Sequence, residues 1–304
     1  MRISTQTLFE SGAARLGEVQ SGLLKIQQQV ASGRRILTPS DDPVGAARAL
    51  EVTQSQSINT QHGVNRQHAK SALVSVEGAL QSATSLLLDV KTSIVTASNG
   101  SLTDSQRGFL ATELRSRFDA LMSIANSRDG MGNYQFSGYQ TATPPFAETA
   151  TGAQYQGDQG QRLLQVDATR QMAISNPGQA VFQGGGQDIF NTLKDLITLL
   201  QTPVVTPADA AALSSGLALA GSNTDLALDN VLTVRASVGT RLQEIDALDF
   251  AGEDRNLQYS QTLSELQDVD YTQALTQLSQ QQFIFEAAQR SFVTVSGLSL
   301  FNFL

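Results

Sequence analysis

Phe9-Glu-Ser-Gly-Ala-Ala-Arg-Leu16-Gly-Glu-Val-Gln-Ser-Gly-Leu23-Leu-Lys-Ile-Gln-Gln-Gln-Val30 sets the fold of the chain's beginning. Phe9, Leu16, Leu23, Val30 and Leu37 recur every seven residues, and Gly12, Val19, Ile26 and Gly33 recur every seven on the interleaved position. This 3,4 spacing under-winds a helix to about 3.5 residues per turn and keeps one seam on one face. Two seam positions are glycine, which lets another helix approach closely at some cost in helix propensity.

The far end carries the same pattern. Ala274, Leu278, Gln281, Phe285, Ala288, Phe292 and Val295 follow alternating spacings of four and three. Asp270 and Gln273 stand ahead of them as a capping pair, with Asp in the Ser/Thr role. The chain finishes on Leu298-Ser-Leu-Phe-Asn-Phe-Leu304, which has no charged side chain. Each seam has two readings: packing on its own domain's core, or packing on the opposite end and on other copies. Ordering about 35 residues costs roughly 1–2 kcal/mol each in backbone entropy. Six or seven large apolar side chains return about 1.5–3 kcal/mol apiece on full burial, and backbone hydrogen bonds add little net. A lone terminal helix is therefore marginal. We expect the two ends to pair in a hairpin-like coiled coil that docks onto copies from other chains. The candidate subunit-interface residues are Phe9, Leu16, Val19, Leu23, Ile26, Val30, Leu37, Ala274, Leu278, Phe285, Ala288, Phe292, Val295, Leu298, Leu300 and Phe301.

Composition removes most catalytic machinery. The chain has 304 residues, a net charge of −8 and only 16% charged residues, with 33 Gln supplying much of the polarity. No strongly basic block offers the phosphate-neutralising surface of a nucleic-acid binder. Cysteine is absent, which excludes disulfides, thiolate nucleophiles and Cys-ligated metals. His62 and His68, six residues apart, lie about 240° apart around a helix and cannot share a ligand. No catalytic, cofactor or metal site is expected. No stretch approaches the 18 or so apolar residues of a membrane span. The first ten residues lack the apolar run of a signal peptide, so the expectation is a cytosolic protein or one exported without such a signal.

Between the ends, Pro39 and Pro43 interrupt the helix. Asp42 reads as an N-cap with Pro43 in the first helical position, and Asp41 beside it reads as part of the same turn. A long helix then runs to about Ala97, with Leu73, Val76, Leu80, Ala83, Leu87, Val90, Ile94 and Ala97 on one seam. Asn99-Gly100 stops it. Asn99-Gly-Ser101 is a formal glycosylation sequon, which a helix-ending turn accounts for. Thr103 and Gln106 form a second capping box, and the next helix places Phe109, Leu114, Phe118, Leu121 and Ala125 on roughly one face. From about 130 to 186 glycine and aromatic residues crowd together, Leu163–Val166 and Met172–Ile174 read as strands, and Asp158 reads as a turn former. Helix resumes through Ile189, Leu193, Leu196, Ile197 and Leu200. After a Pro/Ala/Ser-rich connection over 202–216, a helix from about 222 carries Leu226, Leu228, Leu232, Val238, Leu242, Ile245 and Leu248.

The expected fold is mainly α: an elongated helical rod with paired N- and C-terminal coiled-coil helices and a small β-rich insertion at the middle of the chain. The expected division is 1–42 with 256–304 as a terminal coiled-coil domain, 43–129 with 187–255 as a helical shaft, and 130–186 as an outer insertion.

Particular stretches resemble the flagellin superfamily. Ser32-Gly-Arg-Arg-Ile-Leu-Thr-Pro-Ser-Asp-Asp-Pro-Val-Gly45 is similar to its Ser-Gly-x-Arg-Ile…Asp-Asp-x-x-Gly signature, and Pro39 and Pro43 fit its hook-associated branch. Ala125-Asn126 through Asp129-Gly130, Tyr134-Gln-Phe-Ser-Gly138 and Tyr155-Gln-Gly-Asp-Gln-Gly-Gln-Arg162 resemble the border of that branch's insertion. Val234-Arg-Ala-Ser-Val-Gly-Thr-Arg-Leu242, Asp268-Val-Asp-Tyr271 and Ser299-Leu-Phe-Asn-Phe-Leu304 resemble its C-terminal pattern. The resemblance implies a structural adaptor, without catalysis, between hook and filament of a bacterial flagellum. It would lie outside the cell, self-associate in a ring, and contact hook-associated protein 1 and flagellin. Export through the flagellar type III apparatus with a chaperone is implied, and neither nucleic acid nor membrane insertion. Filament flagellin itself is the nearest rival. Others are a flagellin-like surface adhesin or an enzyme carried in the insertion, and a coiled-coil secretion effector.

Overall fold

The computed structural model describes residues 5–297. Its elements run α1 (Thr5–Ser32), α2 (Pro43–Ala97), α3 (Asp104–Ala125), β1 (Phe146–Glu148), β2 (Ala153–Tyr155), β3 (Leu163–Asp167), β4 (Arg170–Ala173), α4 (Gly178–Phe182), α5 (Ile189–Gln201), α6 (Pro207–Gln267) and α7 (Tyr271–Gly297). The protein is mainly helical, and two antiparallel two-stranded sheets, β1–β2 and β3–β4, form its small β region. The chain divides into two compact units: residues up to Ile58 with those from Asp254 onward, and Asn59–Glu253.

In the Asn59–Glu253 unit the long seam of α2 is the core. Leu73, Val76, Leu80, Ala83, Leu87, Val90, Ile94 and Ala97 are all buried. They share that core with Ala111, Leu114, Phe118, Leu121 and Ala125 of α3 and with Leu193, Leu196, Ile197 and Leu200 of α5. Phe109 departs from the expected face and is 71% exposed. Five residues separate it from Leu114, about 500° of helix, which turns it well away from the buried stripe. The Thr103 capping box at the start of α3 is reciprocal, Gln106 N–H donating to Thr103 Oγ1 and Thr103 N–H to Gln106 Oε1.

α6 begins earlier than the composition of 202–216 suggests. Thr206 and Asp209 cap one another across the first turn: Asp209 N–H donates to Thr206 Oγ1, and Thr206 N–H to the Asp209 carboxylate. Pro207 occupies the first helical position, where its missing N–H costs nothing. The expected face of α6 holds in part: Val238 and Ile245 are buried and Leu228, Leu242 and Leu248 pack partly buried against the core, but Leu226 and Leu232 are exposed. Leu217, Thr224, Val231, Val238, Ile245 and Gly252 are buried at strict seven-residue intervals, with Ala220 and Ala227 between them. Thr224 joins the core because its hydroxyl donates to Ala220 O at 2.7 Å.

The insertion is held by rings and by side-chain clamps. Phe118, Phe136, Phe146, Phe182, Phe190 and Tyr155 form a chain of tilted and edge-on contacts with centroids 4.9–6.0 Å apart. The strands expected at Leu163–Val166 and Met172–Ile174 are β3 and β4. The β1–β2 hairpin is legible in no pattern and is fixed by Asn126, whose carboxamide exchanges two 2.9 Å hydrogen bonds with the backbone of Phe146. Asp158 forms the expected turn, accepting from Tyr139 N–H at 3.0 Å and Gly160 N–H at 2.7 Å.

Candidate functional site

The candidate site is the terminal unit, where α1 and α7 pack along one another. They run antiparallel: the Phe9 and Phe292 rings meet at 5.1 Å, and at the other end Gly33 faces the Tyr271 hydroxyl. Exposure follows the heptad. On α1, Gly12, Leu16, Val19, Leu23, Ile26 and Val30 are half-buried, and most of the positions between them are exposed. Phe9, the first seam position, departs from this and is exposed even with its ring against Phe292. On α7, Ala274 is buried and Leu278, Gln281, Phe285, Ala288 and Phe292 are half-buried. The structure thus brings the two predicted seams together, yet each stays partly open, since two helices alone cannot enclose a seam. Leu24, Leu275, Phe283 and Ile284 lie outside it and are exposed, Phe283 by 74%. Leu298, Leu300 and Phe301 lie outside the described residues, as does the side chain of Val295.

Leu37 is not on the helical seam. α1 stops at Ser32 because Gly33 takes φ +72°, a left-handed conformation that glycine adopts without penalty. Leu37 sits beyond the break, where its N–H donates to Asp41 Oδ2.

The break itself is a second element of the site. The segment after α1 lies against the link between α6 and α7: Arg35 N–H donates to Gln267 O at 2.6 Å, Val269 N–H donates to Gly33 O at 2.9 Å, and the backbones of Arg34 and Asp268 pair in an isolated antiparallel β-bridge. Arg35 Nη2 also donates to Leu266 O, at 3.0 Å. Asp41 accepts from Leu37 N–H and Thr38 N–H and pairs with Lys25 of α1 at 2.7 Å. The Lys25 ammonium, with the Thr38 and Leu37 amides, holds the Asp41 carboxyl at about 2. Asp42 caps α2 as expected, accepting from Gly45 N–H at 2.8 Å, and a side chain at Gly45 would collide with Asp42 and Ile36. Asp270 caps α7 by accepting from Thr272 and Gln273 N–H at 2.9 and 3.1 Å. The Arg-Ile…Asp-Asp-x-x-Gly stretch is therefore a backbone-crossing device, and its carboxylates serve the fold.

Among the described residues no group of His, Asp or Glu could hold a metal ion, and no helix is long and apolar enough to cross a membrane. His62 lies 3.9 Å from Asp167, apart from His68. A 730 Å³ cleft in the insertion is lined mainly by amide and hydroxyl groups, including Gln154, Gln179, Gln183 and Asn191. Burial raises the Asp188 carboxyl there, and that carboxylate is occupied in capping α5 through Phe190 and Asn191 N–H.

Residues 3–141 match the bacterial flagellin N-terminal helical region, so the class is a flagellin-like helical chain. Flagellar hook-associated protein 3 of Escherichia coli K12 is 34% identical over 99% of both chains, and that of Salmonella typhimurium is 36% identical over 99% of both. The chain belongs to the flagellar hook-associated protein 3 family. Solved structures agree in fold. Hook-associated protein 3 of Legionella pneumophila superposes with a TM-score of 0.67 at 21% identity, covering 71% of this chain and 98% of its own. FlgL of Xanthomonas campestris gives 0.64 at 20%, covering 70% and 99%.

Proposed function

We propose that the chain is a structural adaptor joining hook to filament in a bacterial flagellum, placed at their junction outside the cell. The full-length kinship to proteins named hook-associated protein 3 supports the junction role. The observation that carries the mechanism is the half-open α1–α7 pair. Its seams are matched along their length, and apolar side chains such as Phe283 and Leu24 still face solvent. Such a pair gains most of its burial only when neighbours close over it. Subunits would close a ring through these terminal helices, with hook-associated protein 1 on one side and flagellin on the other. In this reading residues 1–42 with 256–304 form the inner domain, 43–129 with 187–255 the shaft, and 130–186 the outer insertion. Export would use the flagellar type III apparatus and a chaperone, the terminal helices ordering on docking so that their free energy is recovered at assembly.

The test is deletion of the gene, followed by electron microscopy of the cells and immunoblotting of the medium. Hooks without filaments, with flagellin released into the medium, are expected. Hooks bearing normal filaments would overturn the junction role, and long tubes formed by the purified chain alone would favour a filament flagellin.

A further inference from the structure

We propose that Asn99 is a spontaneous modification site, converting to aspartate and isoaspartate through a succinimide in which Gly100 supplies the nucleophile. The Asn99-Gly100 pair lies in the exposed turn between α2, which ends at Ala97, and α3. Three features favour ring closure. Gly100 carries no β-carbon, and the space where one would lie is open, so no side chain of its own crowds its nitrogen. The turn's backbone hydrogen bonds come from Ser98, Asn99 and Leu102 N–H, and none uses the Gly100 N–H. The Asn99 side chain is folded forward along the chain, its Oδ1 accepting from Ser101 N–H at 3.2 Å and from Ser101 Oγ at 2.9 Å. The two donors polarise the carboxamide whose Cγ is attacked.

The step balances without a cofactor. The Gly100 nitrogen loses its proton and bonds Asn99 Cγ, the Cγ–Nδ2 bond breaks, and ammonia leaves with the proton. Water then opens the imide at either carbonyl, giving aspartate or, with the main chain rerouted through Cβ, isoaspartate. The other asparagines are followed by bulkier residues. Asn126, followed by the small Ser127, is the natural comparison, and both ends of its carboxamide are held by Phe146. Conversion matters locally. A carboxylate appears near the C-terminal end of α2, where the helix dipole disfavours negative charge. The isoaspartyl form also lengthens the backbone inside the turn that Leu102 N–H closes onto Asn99 O at 3.1 Å.

The experiment incubates the full-length protein at mildly alkaline pH and follows every asparagine peptide by mass spectrometry. Isoaspartyl methyltransferase labelling serves as a second readout. Conversion several-fold faster at Asn99 than at Asn126 is expected, with methyl label in the same peptide and the lead removed by Gly100→Ala. That exposed substitution meets no neighbouring atom, and circular dichroism verifies its fold. Hydrogen exchange over residues 98–103 should rise in aged wild type and stay flat in aged Gly100→Ala. Equal rates at Asn99 and Asn126, or an unchanged rate in Gly100→Ala, would overturn the assignment.

Discussion

The Phe292 ring lies over the bare backbone of Gly12: a β-carbon there would sit 2.9 Å from Phe292 Cδ2. Phe9, one turn earlier, meets the same ring. One α7 aromatic therefore fills a gap that α1 leaves by lacking a side chain, and this fixes the register of the two helices. Gly12→Leu should push the ring out of its seat and destabilise the pair by about 1–3 kcal/mol, the usual cost of overpacking. Faster hydrogen exchange across α1 and α7, with the Asn59–Glu253 unit unchanged, is the expected readout. Gly12→Leu protection equal to wild type would show that the ring moves aside without cost.

The terminal seams and the α2 stripe were legible because large aliphatic and aromatic residues mark most of their turns. On α6 the stripe was legible only in part. Val238 and Ile245 mark it, but Thr224, Gly252, Ala220 and Ala227 are small or polar, so the eye also goes to Leu226 and Leu232 on other faces. Burial there follows from closeness of helices, which hydropathy does not record. The β1–β2 hairpin was hidden for another reason. Its strands are three residues each, too short for alternation to register, and Asn126 places them from outside the strands. Leu37 misled in the opposite direction, since its seven-residue spacing continues past the glycine that ends α1.

Acid should loosen the insertion before it loosens the helices. Glu148 of β1 bridges Arg115 of α3 and Lys194 of α5, both at 2.5 Å. The Arg115 guanidinium and then the Lys194 ammonium hold its carboxyl at about 2, against 4.5 for an ordinary glutamate. A depressed folded value means that the bridge stabilises above about pH 4.5 and is lost as pH falls towards 2. The groups are partly exposed, so the effect is on the order of 1 kcal/mol. Exchange of the β1–β2 amides should rise over that window in the wild type. In Glu148→Gln the same amides should already be faster at neutral pH and respond less to acid, and an identical acid response would refute this origin.

The ring cluster should carry the insertion's stability. Phe146 is buried, lies 4.9 Å from Phe190 and 5.8 Å from Phe182, and also touches Tyr155. Phe146→Ala leaves a cavity bounded by rigid rings and should cost about 3–5 kcal/mol. Phe109→Ala, at an exposed site of the same chemistry, should fall within about 0.5 kcal/mol of wild type. Denaturant melts of both variants check the contrast, and comparable losses would mean that Phe109 is covered in solution.

Arg66 joins three elements with one buried side chain. It is 3% exposed and sits on α2. Its Nε pairs with Asp249 of α6, and its Nη1 donates to Val166 O of β3 at 3.0 Å. The space it fills is the one left by Gly252, whose carbonyl in turn accepts from Asn59 Nδ2 at 2.8 Å. Removing the cation alone strands a partly buried carboxylate and a strand carbonyl, so Arg66→Met should destabilise by about 3–5 kcal/mol. Arg66→Met combined with Asp249→Leu should recover part of that loss, because no charge is then left unpaired. A double variant as unstable as the single would mean that the Val166 carbonyl is the larger debt. In that case β3–β4 amides should exchange faster in both variants, while those of α2 and α6 stay protected.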